Sequence, residues 1–112
     1  MANVSSPLAN FEKMLAAGKD SALLRYSLGN EYLKANEPAR AAEHLARAVA
    51  LDPRYTAAWK LYGKALAASG RDAEALAAWR EGIAVALNRG DKQAEREMTV
   101  FARRIERAKK PE

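Results

Sequence analysis

Residues 59–66 read Trp59-Lys60-Leu61-Tyr62-Gly63-Lys64-Ala65-Leu66, and residues 25–32 read Arg25-Tyr26-Ser27-Leu28-Gly29-Asn30-Glu31-Tyr32. The two octets lie 34 positions apart, with Gly63 on Gly29, Tyr62 on Leu28 and Leu66 on Tyr32. The register holds downstream: Ala75 falls on Ala41, Trp79 on Leu45, Gly82 on Ala48 and Ile83 on Val49. Small residues meet small ones and large apolar residues meet large ones. Running the offset backwards maps Leu45 onto Phe11, Ala48 onto Met14 and Val49 onto Leu15, so the first helix matches the second half of an earlier, truncated unit. A period of this length is the mark of a repeat architecture, in which each unit is one supersecondary element.

Those units are helical. Ser6 before Pro7 supplies a capping hydroxyl, then a proline where no amide donor is needed. Leu8, Phe11, Met14 and Leu15 follow at helical spacing. A second helix is predicted over about 21–35 with Leu24, Leu28 and Tyr32 on one face, ending at Asn36-Glu37-Pro38. A third runs over about 38–51 and stops at Asp52-Pro53, because the residue before proline avoids helical geometry. The fourth and fifth are predicted over about 56–69 and 72–88, and the sixth over about 92–109. In the sixth, Ala94, Met98, Phe101, Ile105 and Ala108 are spaced 4, 3, 4 and 3. No segment alternates with period two. Short loops between six helices imply antiparallel neighbours.

The pattern resembles the tetratricopeptide repeat family, whose unit is written W-x2-L-G-x2-Y…A-x3-F…P. The second repeat supplies Trp59, Tyr62, Gly63, Leu66, Ala75 and Trp79; the first supplies Leu28, Gly29, Tyr32, Ala41, Leu45 and Pro53. Arg25 stands in the tryptophan position of the first repeat and Leu87 in the proline position of the second, so the fifth helix is expected to run on. The resemblance implies an all-α, right-handed superhelical stack forming one domain over residues 1–112. Residues 7–18 are a half-repeat, 22–55 and 56–89 the two repeats, and 91–110 a C-terminal capping helix. Gly29, Gly63, Ala41 and Ala75 are expected to be small because the helices of a hairpin cross there.

The composition narrows the function. The 112 residues contain no cysteine and one histidine. Thiolate metal sites and cysteine nucleophiles are therefore excluded, and a histidine-rich metal site is disfavoured. His44 has no nucleophilic partner beside it and reads as a surface or packing residue. The glycines are dispersed and form no phosphate-cradling loop. No enzyme and no cofactor are implied. The start of the chain lacks the basic and apolar segments of a signal peptide, and no apolar run reaches the roughly 18 residues of a membrane span. A cytoplasmic protein without membrane contact is expected.

A second stripe on the second helix, Leu23, Tyr26, Asn30 and Leu33, lies off the Leu24/Leu28 face. Such a stripe either lines a groove or is buried by the terminal helices. The resemblance implies a concave groove lined by Leu23, Tyr26, Asn30, Leu33 and Lys34 from the first repeat. Ala57, Lys60, Lys64 and Ala67 would line it from the second. Asn30 pairs with a main-chain amide, and Lys60 and Lys64, one turn apart, suit a carboxylate. The implied function is a protein–protein interaction module, an adaptor or scaffold, holding a peptide segment of a partner. The net charge of +5 falls mostly on the second half, which suits an acidic partner. A self-assembling subunit is the alternative, with the chain a monomer or weak homo-oligomer. Less favoured is nucleic-acid contact by the basic stripe of Arg96, Arg103, Arg107 and Lys110, since no aromatic residues interleave it.

Overall fold

The computed structural model describes residues 6–109. It has six helices and, among the described residues, no strand: α1 (Pro7–Ala16), α2 (Ala22–Lys34), α3 (Pro38–Leu51), α4 (Thr56–Ala68), α5 (Asp72–Arg89) and α6 (Lys92–Lys109). Lys110, counted above in the basic stripe and the capping helix, lies outside the described residues.

Local chemistry sets these ends. The Ala9 amide donates to Ser6 Oγ at 3.2 Å and the Leu24 amide to Ser21 Oγ at 3.0 Å, so both serines cap their helices. Asp91 caps α6 through the Ala94 amide at 3.1 Å. Past the ends of α2 and α4, Asn36 (φ 60°) and Gly70 (φ 78°) occupy the left-handed region; they are 34 positions apart, so the stop signal repeats with the helices. With leucine at 87, α5 runs to Arg89 and ends at Gly90.

The helices form two layers. The hairpins α2–α3 and α4–α5 pack in series, α1 packs on α2, and α6 packs on α5 and α4. Within one layer α2 touches α4 and α4 touches α6. In the other, among the described residues, the backbones of α1, α3 and α5 do not come within 8 Å of one another (Cα–Cα), so the first layer is the concave side. The molecule measures 51 × 32 × 19 Å with a radius of gyration of 14.8 Å. A compact chain of this length would have about 13 Å. This is an all-α helical solenoid of stacked hairpins.

The hairpin crossings are as tight as the repeat predicts. A Cβ on Gly29 would stand 2.8 Å from Leu45 Cδ2, and one on Gly63 would stand 2.5 Å from Trp79 Cδ1. A Cβ on Gly82 would meet Met98 Sδ at 2.5 Å and Trp59 Cβ at 2.8 Å. The core comprises Leu24, Leu28 and Tyr32 of α2, Leu45 of α3, Leu66 of α4, Trp79 of α5 and Met98 of α6.

The first hairpin carries a polar cluster where α1, α2 and α3 meet. The ring of His44 stacks on Tyr32 (5.4 Å, 3°), and its Nδ1 lies 3.1 Å from Arg25 Nη1. The Tyr32 hydroxyl donates to Glu12 of α1. His44 is thus a packing residue, and Nδ1 must be unprotonated to accept from arginine. Desolvation first, and the Arg25 charge second, lower its pKa below the ordinary 6.5; Glu12 and Glu43 oppose this, and Arg40 adds to it. A base with a depressed native pKa takes up fewer protons than in the unfolded chain. Its contribution is therefore complete above pH 6.5 and lost as pH falls below that value. Urea midpoints measured from pH 7 to pH 5 should fall for the native chain and fall less for His44→Gln. Equal slopes would show that His44 does not titrate against this cluster.

Candidate functional site

The concave face carries an open groove of about 590 Å³. It lies between α2 and α6, which among the described residues make no contact, with α4 beneath. Asn30, Leu33 and Lys34 line it from α2. Leu61, Lys64, Ala67 and Ala68 form the floor with the edge of Trp79, and Phe101, Arg104 and Ile105 form the far wall. Leu61, Lys64 and Ala68 share one face of α4 because they are spaced three and four apart.

The lining is apolar with a cationic rim. Trp79 is 3% exposed; its Nε1 donates to the Lys60 carbonyl at 3.1 Å and its ring meets Phe101 at 5.4 Å and 45°. Lys64 Nζ stands 5.1 Å from the centre of the Phe101 ring. Lys34 pairs with Glu31 at 3.3 Å from an exposed position. Lys34, Lys64 and Arg104 thus bring three positive charges to the groove, and no carboxylate is among its lining residues.

Of the residues expected here, the structure brings Asn30, Leu33, Lys34 and Lys64 together, with Ala67. Leu23, Tyr26 and Lys60 lie outside the lining. Leu23 is 65% exposed, so neither terminal helix buries it. Tyr26 packs on Tyr55 at the start of α4 (5.0 Å, 34°) and is half-buried there. Lys60 reaches across to α6 and pairs with Glu97 at 2.7 Å. That hydrogen bond is the main reason the Glu97 carboxyl is held below the usual carboxylate range. Lys60 therefore ties α6 to α4.

Three lining residues come from the helix read as a cap. Ala94, Met98 and Ala102 do bury against the stack. Phe101 and Ile105 instead stay half-buried in the groove wall, beside Arg104. Their helical spacing signalled an apolar face, but how α6 sits on α4 decides which part of that face stays open.

The chain is similar to known proteins in sequence and in fold. Residues 26–91 match the profile of the tetratricopeptide repeat family. A TPR repeat-containing protein of Pseudomonas aeruginosa is 56% identical over 102 residues, covering 91% of this chain and 97% of that protein. The solution structure of a protein from Bordetella parapertussis superposes with a TM-score of 0.80 at 41% identity, covering 93% of this chain and 90% of that one. The crystal structure of a tetratricopeptide repeat domain protein from Salinibacter ruber gives 0.71 at 26% identity, covering 78% and 97%.

Proposed function

The chain belongs to the tetratricopeptide repeat family, and on that premise we propose that it is an adaptor or scaffold whose concave groove binds a peptide segment of a partner protein. Folds of this family in general mediate protein–protein interaction, and its members are in general non-enzymatic scaffolds. The observation that carries the finer reading is the groove itself, an apolar floor rimmed by Lys34, Lys64 and Arg104 with no carboxylate among its lining residues. An acidic segment bearing large apolar side chains complements it. The apolar groups desolvate the floor, and the carboxylates meet the cations at the rim. The side chain of Asn30 offers a donor and an acceptor to the peptide main chain. Because these groups stand on packed helices, little receptor entropy is lost on binding.

With two repeats and one flanking helix the contact is small, and the expected Kd is about micromolar, roughly −8 kcal/mol. A fluorescein-labelled twelve-residue peptide of alternating leucine and glutamate, followed by polarisation, is a direct probe. Asn30→Ala combined with Lys64→Glu should weaken it about tenfold or more, since one rim charge is reversed and one main-chain contact removed. Native affinity in the double variant would remove the groove from the account.

A further inference from the structure

The opposite side of α4 carries a second feature. At 100° per residue, Trp59 and Tyr62 project away from the Leu61/Lys64/Ala68 face. Their rings, 6.3 Å apart and inclined at 44°, form one wall of a notch of about 240 Å³. The other wall is α5, with Ala77 and Ala78 between Glu74 and Glu81. Glu74 and Glu81 are seven residues apart, two turns along one face.

The internal repeat supplies the comparison. Subtracting 34 maps Trp59 onto Arg25, Glu74 onto Arg40, Ala78 onto His44 and Glu81 onto Arg47. In the first hairpin this niche is filled by the chain itself. The Arg25 guanidinium lies 3.1 Å from His44 Nδ1 and makes two bonds to Asp20, at 2.8 and 3.1 Å. In the second hairpin the arginine has become an indole and the imidazole a methyl group. Two flanking arginines have become glutamates. These four positions therefore exchange cationic or basic side chains for acidic or apolar ones, while Ala78, at the His44 position, is buried at 4% exposure. Arg71 at its rim makes two bonds to Glu74, at 2.8 and 2.7 Å, so this edge already holds a guanidinium. Glu81 has no ion pair among the described residues. Elsewhere in the molecule Arg40 stands over Tyr32 and Lys64 over Phe101, but among the described residues no cation stands over Trp59 or Tyr62.

We propose that the notch formed by Trp59, Tyr62, Ala77 and Glu81, with Glu74 at its rim, binds a lysine or arginine side chain of a basic segment in a partner protein. The negative faces of the two rings and the Glu81 carboxylate supply the attraction. Exposed Ala77, with no long side chain, leaves the notch open to solvent between Glu74 and Glu81. The molecule then offers a basic-rimmed groove on one side of α4 and an acidic, aromatic notch on the other.

The test uses the full chain, labelled with nitrogen-15, and a synthetic decapeptide of alternating arginine and glycine. The expected result is saturable shifts confined to the Trp59 indole and the amides of residues 59–62 and 74–81. Glu81→Lys reverses the charge at an exposed position and should weaken binding about tenfold or more. Ala77→Arg, also at an exposed position, places a guanidinium of the chain's own in the notch and should block the peptide. Leu23→Ser, at an exposed position outside both linings, should leave the affinity unchanged, and the Phe101 and Ile105 signals should not shift, so a failure of the concave-groove reading does not touch this one. Native affinity in both notch variants, or shifts spread over the acidic residues without saturation, overturns the proposal.

Discussion

Gly63→Leu is expected to lower stability by about 3 kcal/mol or more, and Gly63→Ala by about 1–3 kcal/mol. The sign of the alanine result is what discriminates. In a helix free of neighbours, replacing glycine with alanine is stabilising by roughly 0.5–1 kcal/mol, because the unfolded chain loses conformational freedom. At Gly63 the new Cβ instead overlaps the Trp79 indole, whose Nε1 is the nearest atom and whose Cδ1 lies at 2.5 Å. The indole cannot retreat. It is 3% exposed, bonded to the Lys60 carbonyl and packed against Phe101. Either α4 moves off α5 or Trp79 leaves its rotamer, and both cost packing. Urea denaturation of the two variants is the measurement. A Gly63→Ala protein more stable than the native chain would mean that this crossing does not constrain the fold.

Trp79→Ala should cost about 3–5 kcal/mol, the range for removing a buried aromatic from a core. Trp79 joins three elements: it fills the space left by Gly63 on α4, donates to the α4 backbone and supports Phe101 on α6. It also forms part of the groove floor, so its loss should abolish binding of the acidic probe peptide along with the stability. In a domain stable by roughly 5–15 kcal/mol this truncation can leave too little folded protein to assay. Trp79→Phe keeps most of the volume and should remain folded with a smaller loss, about 1–3 kcal/mol. A Trp79→Ala protein with a near-native urea midpoint would contradict the packing described here.

The helices and their register were legible in the sequence because short-range chemistry writes them. Serine hydroxyls, prolines at first turns and left-handed Asn36 and Gly70 mark the ends locally. The 34-residue repeat makes the Gly29–Leu45 contact a template for Gly63–Trp79. The groove was legible in part. Asn30, Leu33, Lys34 and Lys64 follow from knowing which helix of a pair lines the concave layer. The rest depends on how α6 lies against α4. That placement turns Lys60 into a tether to Glu97, and it converts Phe101 and Ile105 from cap into wall. Arg104 had no distinguishing signal, since an arginine on an exposed helix surface reads like its neighbours Arg103 and Arg107. The notch was hidden for a related reason. Its aromatic wall reads as repeat core, and only the comparison of the two hairpins shows that Arg40 and Arg47 of one have become Glu74 and Glu81 of the other.

Intermolecular nuclear Overhauser effects between the labelled chain and the unlabelled leucine–glutamate peptide locate the ligand without any substitution. The groove account predicts contacts from peptide methyl groups to Leu33, Leu61, Phe101 and Ile105 together, on three helices at once. Contacts confined to the convex face, to α1 and α3, would contradict it.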